Sequence, residues 1–309
     1  MIKNKVVAVI TLSMLIISML VVPVSAQESP ELTVVDKLAA VEKTIYGVSQ
    51  TGALVERVAT IERDVYGKET SEAILPRVDK LYEHTLVTTE QNPSMITKVN
   101  AVEWMFSHGV GEQPLKNRIE NLERTINGSP ATGSLEERLT KLLKIVYTDG
   151  QFEVVSTIVP KDTLIKIKIL SALSSKQSRV GDDVPMVADG DVVIDGVLIV
   201  PNGSKVAGKI TKVEAPGSFG RDAKLEISFN NVAAADGTLV NTFLGEKAKE
   251  ETKSMVTAAG ASMAGMIILG PVGIIGGVFV NGSEAKIPAG TQMYIQTKDE
   301  VEVYGIRVK

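Results

Sequence analysis

Leu54-Val55-Glu56-Arg57-Val58-Ala59-Thr60-Ile61-Glu62-Arg63-Asp64-Val65-Tyr66, closed by Gly67, decides how the first half of the chain folds. Leu54, Val58, Ile61 and Val65 are apolar at steps of 4, 3 and 4, which draws one narrow stripe along an α-helix. Glu62-Arg63 gives the stripe a charged border, and Gly67 stands where a left-handed residue ends a helix.

Working outward, the same pattern occurs six times in the 309-residue chain. The anchors Leu38, Val58, Val78, Val99, Ile119 and Leu139 are 20, 20, 21, 20 and 20 residues apart. Each follows a basic residue: Lys37, Arg57, Arg77, Lys98, Arg118 and Arg138. Three residues later come Val41, Ile61, Leu81, Val102, Leu122 and Leu142, and four beyond those Ile45, Val65, Thr85, Phe106, Ile126 and Val146. Gly47, Gly67, Gly109 and Gly128 supply the stops. Ser134 with Glu137 reads as a capping box, and Pro76 and Pro114 fall in or near first turns. The unit is a helix of about fourteen residues, too short to stand alone in water. Its stripes must bury against one another or against another chain. A stripe this narrow favours the second, a coiled-coil-like oligomer with the six anchors in the seam.

Tyr46, Tyr66 and Tyr147 recur at repeat ends, where a tyrosine more commonly closes a helix against its neighbour than binds a glycan. His84 and His108 are the only histidines and occupy non-equivalent repeat positions. With no cysteine in the chain they make no metal site, and both are expected at the surface.

From Gln151 the period changes to two, as in Leu164-Ile165-Lys166-Ile167-Lys168-Ile169 and Lys224-Leu225-Glu226-Ile227-Ser228-Phe229, which are half-buried strands. Val159-Pro160-Lys161-Asp162-Thr163, Val200-Pro201-Asn202-Gly203-Ser204 and Ile287-Pro288-Ala289-Gly290-Thr291 share one form, a proline turn with a hydroxyl stepping into a strand. The expected fold is α+β with two domains. Residues 27–149 are the helical repeats, forming a bundle or coiled coil, and residues 150–309 are a β-barrel or sandwich.

Leu173-Ser174-Ser175-Lys176, Gly181-Asp182, Ile199-Val200-Pro201 with Gly203-Ser204, and Asp236-Gly237 follow in an order that resembles a known domain. It is the TrbI-like β-barrel domain of conjugation and type IV secretion outer-membrane core proteins, found also in stand-alone domains of secreted bacterial proteins. That resemblance implies a barrel with a membrane-contacting helical hairpin inserted between strands. This chain carries helical repeats where those proteins have a cytoplasmic tail and a proline-rich linker.

The insert falls at residues 246–282. Within it, residues 254–280 carry no charge, and a run of that length is long for a soluble domain, since about twenty apolar residues cross a bilayer as helix. Gly260, Ala261, Gly265, Gly270, Gly273, Gly276 and Gly277 are the small residues that let helix backbones approach closely. A charged helical lead-in, an apolar helix, a Gly270-Pro271 break and a return arm make a helical hairpin, expected to meet a membrane or a neighbouring subunit. No Lys-Ser or Lys-Thr follows the glycines, so they form no phosphate loop.

At the start of the chain, Lys3 and Lys5, an apolar run and Val24-Ser25-Ala26 read as a secretory signal peptide cut after Ala26, or else kept as an anchor. Its removal takes two lysines and no acid, moving the formal charge from −4 to −6. That balance argues against nucleic acid as a partner. Asp182, Asp183, Asp189, Asp191 and Asp195 lack the spacing and closing glutamate of a calcium loop and read as solvated turns. Both histidines lie far in sequence from the β half, and one tryptophan with 4% aromatics leaves little for a sugar cleft. The expectation is a non-enzyme without cofactor in the cell envelope, self-associating and meeting the outer membrane or other envelope proteins. The alternative is a module binding a cell-wall polymer or partner protein, with the hairpin a structural cap; a hydrolase hidden in the β half is the weakest reading.

Overall fold

Six helices follow one another at the repeat spacing in the computed structural model, which describes residues 32–215, 223–259, 274–275, 278–280 and 285–308. They are α1 (Val34–Tyr46), α2 (Leu54–Tyr66), α3 (Ile74–Leu86), α4 (Met95–Ser107), α5 (Leu115–Asn127) and α6 (Leu135–Val146). Gly67 and Gly128 end α2 and α5 in the left-handed conformation, donating their N–H to the carbonyls of Arg63 and Arg124. At the end of α4 that slot is taken by His108 (φ 51°), not by Gly109, and the imidazole packs edge-on against Trp104. The Ser134 side chain caps α6 as expected, and Ser94 caps α4 in the same way.

The stripes do not wait for a second chain. Helix α1 packs on α3 and α5, α2 on α3 and α6, and α4 on α5 and α6. All six anchors (Leu38, Val58, Val78, Val99, Ile119 and Leu139) are 2% exposed or less, inside one apolar core. The expectation of an intermolecular seam is therefore corrected. Contacts between helices distant in sequence close the array on itself and consume the stripe within the chain. Phe106 departs from its repeat position and is 47% exposed. Helix α4 serves two cores, with Val99 and Val102 in the helical one and Ala101 and Trp104 in another, and Phe106 falls outside both.

Sixteen strands are described in the C-terminal half. In chain order they begin with β1 (Val154–Val159), β2 (Leu164–Ile169), β3 (Leu173–Ser174), β4 (Met186–Ala188), β5 (Val192–Ile194) and β6 (Val197–Val200). There follow β7 (Lys205–Ala207), β8 (Ile210–Glu214), β9 (Lys224–Ile227), β10 (Asn231–Ala233) and β11 (Leu239–Phe243). The last are β12 (Ile274–Ile275), β13 (Val278–Val280), β14 (Lys286–Ile287), β15 (Gln292–Thr297) and β16 (Val301–Arg307). Strands β10, β11, β15, β2, β4 and β7 close a barrel in that order, and β1, β16, β6 and β5 form a separate sheet. Alternation decides the faces: Ile165, Ile167 and Ile169 of β2 point inward, while Lys166 and Lys168 pair outside with Asp189.

The three proline turns launch β2, β7 and β15, all strands of the barrel. Each has its fourth residue at positive φ: Asp162 at 62°, Gly203 at 86° and Gly290 at 84°. Thr163 and Thr291 return their hydroxyls to the Pro160 and Pro288 carbonyls at 2.7 and 2.8 Å. The two halves meet on a third apolar cluster of Ala101, Trp104, Leu198, Ala235 and Ile306. Trp104 Nε1 donates to Asp191 Oδ2 at 2.9 Å and Asn100 Nδ2 to the Ala235 carbonyl at 2.8 Å, so residues Val34–Lys309 form one unit.

Candidate functional site

The residues singled out for membrane or subunit contact, Gly260, Ala261, Gly265, Gly270, Gly273, Gly276 and Gly277, lie outside the described residues, as does Ala26. What is described is the root of the insert. Strands β11 and β15 pair directly, Thr242 with Thr297 and Phe243 with Gln296, so the barrel wall closes without the 48 residues that separate them in sequence. From that wall rises α7 (Glu246–Ala259), seated on β15. The Ala248 N–H donates to Gln296 Oε1 at 3.0 Å, and the Tyr294 N–H donates to Thr252 Oγ1 at 2.9 Å. Gly245 makes this seat possible, because a Cβ there would stand 2.3 Å from Gln296 Cδ.

The return arm is not helical where it is described. Ile274–Ile275 and Val278–Val280 are strands, and β13 pairs with β9. This corrects the helical hairpin. A return rich in valine, isoleucine and phenylalanine prefers a pleated backbone when a strand edge is within reach. Among the described residues no helix is long and apolar enough to cross a membrane.

A second feature runs through the helical half. Glu42 of α1 takes Arg57 of α2 in a two-pronged ion pair, Nε to Oε1 at 2.8 Å and Nη2 to Oε2 at 2.7 Å. Glu62 with Arg77, Glu103 with Arg118 and Glu123 with Arg138 repeat it, always fifteen residues apart and with the shorter contact at 2.6 or 2.7 Å. Each carboxylate also accepts a loop N–H eight residues on, from Gln50, Thr70, Gly111 or Ala131. Charges this buried persist only when fully paired. Burial alone would raise the Glu62 and Glu123 carboxyls, but the guanidinium and loop bonds outweigh it and hold both below the ordinary range.

One junction lacks this clamp. Between α3 and α4, Tyr82 stands at the glutamate position, Lys98 at the arginine position, and the spacing is 21 instead of 20. The loop is held instead by buried hydroxyls, Thr88 to Ser94 at 2.8 Å and Thr88 to Thr97 at 2.6 Å. A cleft of about 1030 Å³ opens there, between Tyr66 of α2, His84 of α3, Lys98 of α4, Glu136 and Leu143 of α6, and Phe152. His84 is half-buried rather than at the surface, its ring centroid 5.3 Å from that of Tyr66. Its Nε2 is buried with no hydrogen-bond partner among the described residues. Burial lowers the His84 pKa; Glu136 opposes this and Lys98 adds to it. Burial also lowers Lys98, against the pull of Glu136, and pushes the Tyr66 phenol up to about 12, with Glu136 and Glu62 adding. The other histidine, His108, is exposed.

Tyr46 donates to Asp64 at 2.9 Å and Tyr147 to the Ala101 carbonyl at 3.0 Å, each closing a helix end. The aspartates serve separate contacts: Asp189 holds Lys166, Lys168 and Gln292, and Asp191 holds Trp104 and the Asn202 N–H. Among the described residues no three potential ligands are placed to hold a metal ion.

Neither a family model nor a curated protein matches the chain. Among solved structures it is similar to ComB10 of the Com type IV secretion system of Helicobacter pylori, at 14% identity. The likeness covers 46% of this chain and 88% of that one with a TM-score of 0.26, too slight to carry an argument.

Proposed function

We propose that the chain is an exported, non-catalytic assembly protein of the cell envelope. Its insert, rooted at α7, is the arm that contacts a membrane or a neighbouring subunit. One observation carries this reading: the barrel closes by direct β11–β15 pairing, so the uncharged residues 254–280 are not needed to complete the wall. An apolar, glycine-rich stretch that a fold does not need for closure serves contact with something else. The helical array is stapled to the β half through Trp104 and Asn100, which suits a scaffold.

The chain has no cysteine, so Gly265→Cys creates a unique label. In isolated envelopes that thiol should resist a water-soluble maleimide until detergent is added. Equal labelling with and without detergent would exclude the contact.

A further inference from the structure

The cleft lies at the one junction where the repeat keeps its basic residue and loses the carboxylate that holds it. At four of the five helix junctions the basic residue before the anchor is held by a glutamate carboxylate from the preceding helix, at 2.6 or 2.7 Å. At the fifth, the carboxylate is replaced by the Tyr82 phenol and the basic group is kept, as Lys98. Lys98 lines the cleft half-buried and makes no ion pair among the described residues; Glu136, the acid that most affects it, stands beyond ion-pair contact. Lining the same cleft is His84, whose buried Nε2 has no hydrogen-bond partner among the described residues. A half-buried cation and a buried imidazole nitrogen without partners are costly unless something completes them.

We propose that this cleft binds a peptide carboxylate, which takes on Lys98 the place that glutamate takes at the other junctions. The remaining walls are mixed: Gln91, Asn92 and Gln151 offer amides to a peptide backbone and Val87, Leu143 and Phe152 apolar surface to a side chain. Glu83, Glu90 and Glu136 confine the carboxylate to the Lys98 end and favour a basic or neutral residue beside it. A volume of about 1030 Å³ leaves room for several residues. Lysine rather than arginine at this position fits an exchanging partner, because its point charge does not demand the fixed two-pronged geometry of the permanent clamps.

The test uses the whole exported chain, isotope-labelled, and a mixed pool of acetylated tripeptides with free carboxyl ends. The pool should shift the Lys98 ε-methylene and His84 ring resonances. The same pool with amidated ends, and the Lys98→Met variant with the free-acid pool, should each bind about tenfold or more weaker, the loss of one charge-assisted contact. Lys98→Met removes an unpaired cation, so its fold should survive, which its own spectrum reports. No shift with the free-acid pool, equal shifts with amidated peptides, or unchanged binding by folded Lys98→Met each overturns the proposal. So does displacement of the peptides by inorganic phosphate at equal concentration, which would make the cleft a general anion sink.

Discussion

Glu62 shows what single residues decide in this chain. Its side chain is 2% exposed, and it meets both prongs of Arg77 and the Thr70 loop. Glu62→Ala would leave Arg77 buried and unpaired and should cost about 3–5 kcal/mol in urea unfolding. Replacing both partners by leucine should recover most of that loss. A single-variant cost below about 1 kcal/mol would mean the pair does not hold the junction. The pieces of this clamp were legible in the sequence as a basic residue before every anchor and an acid beside the stripe. Their pairing was not, because partners fifteen residues apart lie on different helices and no local period links them. His84 was misread because its repeat position is mixed, with Thr44, Asp64, Met105, Thr125 and Ile145 at the equivalents, so no local pattern marks it for burial.

His84 also sets a pH dependence. Its folded pKa is lowered, so between that value and the ordinary one, about 6.5, the unfolded chain binds more protons than the folded one. Stability therefore falls as pH drops through this window. Tyr66, Lys98 and Glu136 face the imidazole. Urea midpoints at pH 7.5 and 5.5 should move less for His84→Gln than for the parent; equal movement would remove His84 as the cause.

At the scale of elements, the helical period, the stops and the six starts could be read directly, because each is a local property of about fourteen residues. Where the stripe goes could not, because a 4-3-4 pattern suits an internal core as well as a seam between chains. Leu122, 6% exposed in the helical core, separates the two. Leu122→Asp buries an unpaired charge and should destabilise the helical array by several kcal/mol. The protein that remains folded should sediment with the same mass as the parent. Dissociation of an oligomer without loss of stability would restore the seam between chains. The β elements divide similarly: alternation in β2 and the shared proline turns gave strands of one barrel, whereas the return of the insert as β12 and β13 depends on the distant edge of β9.

In the whole molecule a helical array and a β half with a closed barrel meet on the apolar cluster around Trp104, the chain's one tryptophan. Each body has its own apolar core, and the proposed contact is assigned to the insert. The direct measurement is to replace residues 254–280 with a short Gly-Ser linker and compare the exported proteins by membrane flotation and by sedimentation. The deleted protein should lose β12 and β13 but keep the β-sheet circular dichroism of its barrel, and lose flotation, assembly or both. If it floats and assembles as the parent does, the insert is a cap on the barrel and the proposed contact is wrong.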